Sequence, residues 1–326
     1  MSRISLSIAI GDYDQTRDVI SGRVPIEGVD LLPSMLTAEE VFHRFTHYRE
    51  WDICEMSMGR YVSMVSQGDT SLTALPVFVS RVFRHSMIYL PSSSTLADPH
   101  QLKGKRIGIP EWAQTATIYV RGMLSEDYGV PLDSVEWVQA GVNDPGRKEE
   151  VMLKLPPGLK YHSEPTKSLD GMLLSGELDA VLSARAPQHF GNGIRRLYQD
   201  SESAELSYYK ATGIFPIMHA LVIKTQVLDR HPWVAMNVMK AFEEAKRRSL
   251  ERLKEITAAH VPLPCLGSHV NLVRELFGED FWPYGIQANQ KTLDAFLRFA
   301  FAQGVCHRKV FPEELFAKQT LTQVRI

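Results

Sequence analysis

The chain has 326 residues, which is long for one hydrophobic core, so two lobes are expected. Hydrophobic residues make up 44% and charged residues 23%, a composition that fits a globular protein and excludes a disordered or fibrous one. The net charge of −2 gives no sign of a nucleic-acid or membrane partner. Three scattered cysteines, Cys54, Cys265 and Cys306, argue against a disulfide framework or a zinc site and favour a reducing cytoplasm.

The first ten residues are predicted to form a strand rather than an export signal. Ile4, Leu6, Ile8 and Ile10 alternate with small residues, which is the periodicity of a strand. A signal peptide needs a continuous apolar region and a small-residue cleavage site. No later run approaches the ~18 apolar residues of a membrane span. The sequence therefore predicts a cytoplasmic protein.

Strands and helices alternate along the first third of the chain. Thr37 and Glu40 form a capping box at the start of a helix with an apolar stripe. The other predicted elements are a helix at 14–20, a strand at 28–32, a strand at 51–54, a helix at 57–67, and strands at 72–79 and 83–90. This alternation predicts a parallel or mixed sheet that is covered by helices.

A polar break at 92–102 precedes a second α/β unit. Its predicted elements are strands at 105–110, 135–139 and 180–183, helices at 115–128 and 169–178, and a Gly- and Pro-rich loop at 141–158. A strand at 215–223 returns from this unit, and helices at 231–257 and 292–303 follow.

The fold class is therefore α/β and two-lobed, with each lobe a helix-covered sheet. Residues 1–88 with 217–326 are predicted to form lobe one, and residues 89–216 lobe two. Two crossovers, near residues 88 and 216, would create a hinge and an inter-lobe cleft. Ligands of such sheets bind at the carboxyl ends of strands and in clefts between lobes.

The densest cluster of charge is the segment 80–86, with the sequence SRVFRHS, at the first predicted crossover. In an extended strand, Arg81 and His85 would share one face and Arg84 would lie on the other. Because arginine matches carboxylate oxygens bidentately, this segment suits a small aromatic dicarboxylate. The alternative is that one arginine is solvated or paired with an acid such as Glu55.

Glu55 and Ser57 follow a predicted strand, at a carboxyl end where α/β sheets bind ligands. Glu55 suits such a site, and Ser57 is placed to cap the next helix. The alternative is that Glu55 only neutralises an arginine.

Thr115 and Ala116 begin the predicted helix of the second unit. A helix N-terminus presents free N–H groups and the positive end of the helix dipole, which together suit an anion. The alternative for Thr115 is a capping role alone.

Tyr13 and Arg17 follow the first strand and are expected to face the cleft. His219 lies in the second crossover, which should bring it close to His85. The alternatives are a solvated Arg17 and a His219 that is a satisfied core residue.

Several common signatures are absent from the sequence. There is no P-loop, no GxGxxG after a strand, no GxSxG and no HExxH. The eleven histidines include none at the HxH spacing of metal-dependent decarboxylases. No metal or cofactor is expected.

Five blocks of the chain resemble the 4,5-dihydroxyphthalate decarboxylase family. They are Gly11-Asp12-Tyr13-Asp14-x-Thr16-Arg17, Asp52-x-x-Glu55-Met56-Ser57, Pro76-Val77-Phe78-x-x-Arg81-x-Phe83-Arg84-His85-Ser86, Gln114-Thr115-Ala116 with Arg121-Gly122, and Gly213-Ile214-Phe215-Pro216-Ile217-Met218-His219. The family is similar to type II periplasmic binding proteins. The resemblance thus implies the same two-lobed fold in a cytoplasmic enzyme.

The resemblance also implies a cofactor-independent reaction, from 4,5-dihydroxyphthalate to 3,4-dihydroxybenzoate. A base would take a phenolic proton while an acid protonates the ring carbon that bears the carboxylate. Arg81 or Arg84 is expected to hold the carboxylate that stays, since a grip on the departing one stabilises the ground state. His85 and His219 are the acid–base candidates, and Glu55 is a base or an orienting group.

Two other functions fit the same residues. A cytoplasmic binding or sensor protein for aromatic carboxylates would use the arginines without a titrating partner. Another lyase of the same fold would act on a related acid. A homo-oligomer is compatible with the sequence under each interpretation.

Overall fold

The computed structural model describes residues 3–255, 257–258 and 260–321. The strands are β1 (Ile4–Ile10), β2 (Val29–Met35), β3 (Ile53–Ser57), β4 (Leu72–Arg81), β5 (Ile88–Pro91), β6 (Arg106–Ile109), β7 (Glu136–Gly141), β8 (Lys160–Ser168), β9 (Ala180–Leu182), β10 (Ile194–Arg196) and β11 (Ile217–Lys224). The helices are α1 (Arg17–Ile20), α2 (Ala38–Tyr48), α3 (Met58–Ser66), α4 (Thr115–Glu126), α5 (Leu169–Leu174), α6 (Ser201–Thr212), α7 (Thr225–Arg230), α8 (Val234–Lys254), α9 (Leu266–Phe277), α10 (Gln290–Ala302) and α11 (Pro312–Leu315). Short 3-10 turns join several of these elements.

The first sheet has the strand order β2-β1-β3-β11-β4. β1 runs parallel to β2 and β3, whereas β11 lies antiparallel between β3 and β4. Leu6, Ile8 and Ile10, the alternating apolar residues of β1, are all buried, which confirms the first predicted strand. α2 packs on β3, α3 on β3 and β11, and α8 on β4. The carboxyl ends of β1 and β3 therefore meet at one edge of this sheet.

The second sheet has the order β10-β5-β9-β6-β7-β8. β6 is parallel to β7 on one side and to β9 on the other, so the carboxyl ends of these three strands lie side by side. The predicted strands at 105–110, 135–139 and 180–183 and the helix at 115–128 are confirmed as β6, β7, β9 and α4. Asp200 caps α6 by accepting a hydrogen bond from the Ser203 N–H, and Gly213 ends the helix at a φ of 69°.

The chain passes from the first sheet to the second between β4 and β5 and returns between β10 and β11. The predicted strand at 83–90 is wrong in its first half, because β5 begins only at Ile88. The Val82 N–H donates to the Pro216 carbonyl, and the Met87 N–H closes a 3-10 turn on the Arg84 carbonyl. Arg81, Arg84 and His85 therefore do not share one extended strand.

The C-terminal helix α10 contacts both α3 and α4, and so touches helices of both sheets. Arg298 of α10 pairs with Glu126 of α4 at 2.7 Å, and Gln303 accepts a hydrogen bond from the buried Arg121. The division into lobe one (1–88 with 217–326) and lobe two (89–216) stays a prediction. Among the described residues, no helix is both long and apolar enough to cross a membrane.

Candidate active site

Glu55 is the central residue of β3, a strand in which all five residues are buried. Its carboxylate accepts the Gly11 N–H at 2.8 Å and the Tyr13 hydroxyl at 2.6 Å, and it lies 2.5 Å from Nδ1 of His219. Burial alone would raise the pKa of Glu55, but His219, Tyr13 and Gly11 together hold it below its usual value. Glu55 is therefore an anion that three neighbours hold in place.

The pairing of β11 with its neighbours explains why His219 reaches Glu55. His219 lies opposite Ser57 on β3 and opposite Ser80 on β4, and Leu221 lies opposite Glu55. His219 and Glu55 are thus diagonal neighbours two positions apart, within reach across an antiparallel pair. Nδ1 takes part in the contact with Glu55, so Nε2 is the ring atom that remains for a ligand.

Ser57 and Thr115 join the two sheets by their hydroxyl groups. Their oxygens are 2.9 Å apart, and Thr115 Oγ1 also accepts the Gly59 N–H at 2.9 Å. A Cβ atom on Gly59 would lie 2.2 Å from the Ala113 carbonyl, so this close approach requires glycine. Thr115 and the adjacent Ala116 begin α4, and both are buried. Thr115 therefore connects α4 to the start of α3, a role beyond the predicted anion site or cap.

A polar cleft of about 370 Å³ separates α2 from the loops that follow β7 and β9. A second cavity of about 270 Å³ continues it and shares Glu39, Gly146 and Arg147. Phe42 lines this second cavity and meets the His219 ring edge-on, with 4.8 Å between centroids. The Glu55–His219 pair consequently lies directly behind a wall of the cleft.

Two arginines from the second sheet line the cleft. Arg185 follows β9 and donates to Glu39 of α2 at 2.7 Å, a contact that spans the cleft. Arg147 follows β7 and pairs with the buried Glu111 at 2.5 Å. Arg185 and Glu39 are both exposed, so a ligand carboxylate can replace Glu39 at little cost.

Arg81 lies away from these arginines and donates to two backbone carbonyls. Its guanidinium bonds to Phe215 at 2.9 Å and Pro283 at 3.2 Å, and stacks over the Phe215 ring. Burial lowers its pKa to about 10. Because its terminal nitrogens hold the chain together, we assign Arg81 to the fold rather than to the ligand.

Arg84 and His85 are not joined to Glu55 or His219 by any contact among the described residues. Arg84 donates through Nε to Met218 Sδ at 3.1 Å, and burial lowers its pKa to about 10. His85 packs edge-on between Tyr198 and Tyr208, and in the described part of the chain neither ring nitrogen has a partner. Burial lowers the pKa of His85 to about 4, so its ring is neutral near pH 7.

Tyr13 and Arg17, the two candidates after β1, have different surroundings. Tyr13 is half-buried, and burial together with the Glu55 charge raises its pKa. Arg17 is exposed and pairs with Asp14 at 3.1 Å. Both line a separate small cavity of about 280 Å³. Tyr13 thus belongs to the Glu55 cluster through its hydroxyl, whereas Arg17 has no described contact with that cluster.

The sequence reasoning missed Arg147, Arg185 and Ser183 as residues of the cleft. Each follows a strand of the second sheet, and the rule that ligands bind at the carboxyl ends of strands identifies those positions. Among the residues that the structure describes, no cluster of three or more His, Cys, Asp or Glu side chains is arranged to hold a metal ion.

Two helix-covered sheets that are joined by two crossing segments and separated by a cleft define the class of periplasmic-binding-protein-like folds. A mutant of the desulfurization enzyme DszB in complex with biphenyl-2-sulfinic acid is similar, with a TM-score of 0.57 and 14% identity, over 98% of each chain. The periplasmic sulfonate-binding protein SsuA from Methylobacillus flagellatus KT has a TM-score of 0.50 and 13% identity, over 97% of this chain and 92% of that one. These likenesses confirm the predicted fold class.

Sequence similarity identifies the family within this class. The chain is 38% identical to a 4,5-dihydroxyphthalate decarboxylase from Comamonas testosteroni, over 100% of both chains. It is 41% identical to one from Pseudomonas putida, over 65% of this chain and 83% of the relative. The chain belongs to the 4,5-dihydroxyphthalate decarboxylase family, as its motifs predict. A scan of protein-family models gave no match.

Proposed function

We propose that this protein is a carboxy-lyase that converts 4,5-dihydroxyphthalate to 3,4-dihydroxybenzoate in the degradation of aromatic acids. The observation that carries the proposal is the Glu55–His219 pair, 2.5 Å apart, behind the cleft wall formed by Phe42. A carboxylate that fixes the orientation of an imidazole is an arrangement that suits proton transfer. The relatives named 4,5-dihydroxyphthalate decarboxylase supply the substrate.

The cleft suits an aromatic dicarboxylate in size and charge. We assign Arg185 to the carboxylate that stays, where it replaces Glu39 as the partner of the guanidinium. The departing carboxylate lies near the Ser57 and Thr115 hydroxyls, which are uncharged. A neutral environment there does not stabilise the ground state, so the binding energy of the remote carboxylate favours the reaction. Arg84 stays a predicted contact of the ligand, and no carboxylate of the described residues lies within salt-bridge distance of it.

The proton steps follow from the substitution pattern of the ring, because each hydroxyl is para to one carboxylate. His219 donates its Nε2 proton to the ring carbon that bears the departing carboxylate, while the para hydroxyl loses its proton to solvent. A dienone with a tetrahedral ring carbon results. Its bond to the carboxylate breaks, carbon dioxide leaves, and the electron pair restores the aromatic ring and a phenolate. The phenolate takes up a proton, so one proton replaces carbon dioxide overall.

Glu55 acts as an orienting group in this scheme rather than as a base. Its two oxygens accept hydrogen bonds from Gly11 and Tyr13, and its lowered pKa keeps it anionic beside the imidazolium. An acid that is positioned in this way contributes on the order of 10² to 10⁴ in rate.

The test is to incubate the purified protein with 4,5-dihydroxyphthalate and to follow carbon dioxide and the ultraviolet spectrum. Binding of 3,4-dihydroxybenzoate, the proposed product, is measured in parallel by calorimetry. The proposal expects release of carbon dioxide and its loss in a His219→Gln variant that still binds 3,4-dihydroxybenzoate. Binding without turnover would instead identify a sensor protein.

We also propose a cytoplasmic location. Cys54, Cys265 and Cys306 are all free thiols, as suits a reducing compartment. No nucleic-acid partner or membrane partner is proposed, and the oligomeric state is left to size measurements on the purified protein.

A further inference from the structure

Two uncharged polar side chains of the cleft wall have no hydrogen-bond partner among the described residues. Ser183 is 1% exposed, and its Oγ atom is buried and unpaired. Oε1 of the Gln114 side chain is likewise buried and unpaired. Both residues line the 370 Å³ cleft. Buried polar atoms in proteins nearly always have a partner, so a ligand is the expected source of the missing hydrogen bonds.

The topology of the second sheet brings these two residues together. β6 and β9 are parallel neighbours, with Ile107 opposite Ala180 and Gly108 opposite Val181. Ser183 is the first residue after β9, and Gln114 ends the loop that follows β6. They therefore lie at adjacent carboxyl ends, on the same wall of the cleft.

Three other polar side chains of this wall already have partners. Arg185 pairs with Glu39, Arg147 pairs with Glu111, and the Asn143 side chain accepts the Gln188 N–H at 2.9 Å. The buried side-chain atoms of the wall that have no partner among the described residues are neutral. They match neutral hydroxyl groups better than they match a carboxylate, which binds most strongly to charged donors.

We propose that Gln114 and Ser183 recognise the two adjacent phenolic hydroxyls of the substrate and so select a dihydroxylated ring. This inference rests on the proposed function, which supplies a ligand with vicinal hydroxyls. Gln114 Oε1 accepts a hydrogen bond from one hydroxyl, and Ser183 Oγ pairs with the other as donor or acceptor. The hydroxyl end of the ring then faces the carboxyl ends of β6 and β9. Its carboxylate end faces α2, where the Arg185 guanidinium reaches Glu39 and where Phe42 contacts His219.

This arrangement makes the site selective against phthalate, which has both carboxylates but no hydroxyl. With phthalate bound, Gln114 and Ser183 would stay buried without partners. Sites built to bind a hydroxyl discriminate strongly against ligands that lack it, because their own polar groups are left unsatisfied.

The test compares two ligands that the enzyme does not consume, 3,4-dihydroxybenzoate and benzoate, by titration calorimetry. Wild type is expected to prefer 3,4-dihydroxybenzoate. Ser183→Ala and Gln114→Leu should each weaken the binding of 3,4-dihydroxybenzoate by about 3- to 10-fold, the usual effect of one neutral hydrogen bond. Both variants should bind benzoate with the wild-type affinity. Ser183→Thr keeps the hydroxyl and should retain the preference. Ser134→Ala, which removes an exposed hydroxyl outside the cleft lining, is the matched control.

Two results would overturn the inference. In the first, both variants keep the wild-type preference for 3,4-dihydroxybenzoate over benzoate. In the second, each variant weakens the binding of benzoate as much as the binding of 3,4-dihydroxybenzoate. Thermal melts check folding, and Gln114→Met, which also lacks an acceptor oxygen, replaces Gln114→Leu if that variant does not fold. Failure of the proposed function is a separate outcome, since it appears as wild type that releases no carbon dioxide from 4,5-dihydroxyphthalate.

Discussion

Nδ1 of His219 lies 2.5 Å from Oε1 of Glu55, although 164 residues separate the two in the chain. The same oxygen accepts the Tyr13 hydroxyl, and the second carboxylate oxygen accepts the Gly11 N–H. The end of β1, the middle of β3 and the start of β11 thus converge on a single carboxylate. An imidazole held in this way presents Nε2 in a fixed direction, which lowers the cost of reaching a reactive geometry.

Glu55→Gln should abolish most of the activity without a comparable loss of binding. The side-chain amide can offer an N–H group to Nδ1 of His219, which favours the wrong imidazole tautomer, and it removes the charge that stabilises the imidazolium. We expect kcat to fall by about 10²- to 10⁴-fold with a small change in KM. Tyr13→Phe, which keeps the Glu55 carboxylate and removes one of its hydrogen-bond donors, is the control and should lower kcat by about 10-fold or less. Steady-state release of carbon dioxide measures both, and equal losses in the two variants would contradict the assigned role of Glu55.

His219→Gln and His85→Gln should separate the two predicted acid–base histidines. His219 has a carboxylate partner and lies behind the Phe42 wall of the cleft, so its loss should lower kcat by about 10²- to 10⁴-fold. His85 is neutral and packs between two tyrosines, so its loss should leave kcat within about 3-fold and change mainly the melting temperature. The same turnover assay measures kcat of both variants, and thermal melts measure their stability. Full activity in both variants would show that neither histidine transfers the proton.

The sequence was enough to select Glu55 and His219 as candidate residues. The rule that α/β sheets bind ligands at the carboxyl ends of their strands selected Glu55, and the position of the second predicted crossover selected His219. The sequence did not reveal that they touch, because that contact depends on β11 lying between β3 and β4 in one particular register. A slip of one residue would place His219 on the other face of the sheet.

Arg81 and β8 show which features of the structure the sequence could not reveal. The carbonyl partners of Arg81 belong to Phe215 and Pro283, 134 and 202 residues away, and no local pattern indicates such contacts. β8 is an edge strand with the sequence KYHSEPTKS, which lacks alternating apolar residues because most of its side chains are not buried. Periodicity detects only strands with a buried face.

Arg185→Gln should weaken the productive binding of a dicarboxylate. The variant keeps a polar side chain but loses the charge assigned to the carboxylate that stays, so kcat/KM should fall by about 10- to 100-fold. Arg3→Gln is the matched control, because Arg3 also forms an exposed ion pair, with Asp30, and lies outside the cleft lining. Steady-state kinetics on 4,5-dihydroxyphthalate measures the effect. An unchanged kcat/KM in Arg185→Gln would show that another cationic side chain binds this carboxylate, and Arg84 is the first candidate.

Glu149 should make the stability of the fold depend on pH. One of its carboxylate oxygens accepts the N–H groups of Trp112 and Ala113, and the other is buried without a partner among the described residues. Burial, with a smaller contribution from the Glu111 charge, raises the pKa of Glu149 to about 7. The folded protein therefore holds this proton more tightly than the unfolded chain does.

The sign of the effect follows from this raised pKa. Its contribution to stability is complete below the unfolded pKa of about 4.5 and is lost as pH rises through about 7. We expect the free energy of unfolding to fall by about 2.5 kcal/mol between pH 5 and pH 8 from this group. The side chain in Glu149→Gln mimics the protonated carboxyl group, so the free energy of unfolding of this variant should lack this part of the pH dependence. At pH 8, denaturant unfolding should show that the variant is more stable than wild type. Glu150→Gln, an exposed change at the next position, is the control and should follow wild type at every pH. If Glu149→Gln kept the full wild-type slope, the loss of stability would have to arise from another group whose pKa is raised, such as the partly buried Glu205. His85 cannot be that group, because its lowered pKa acts in the opposite direction.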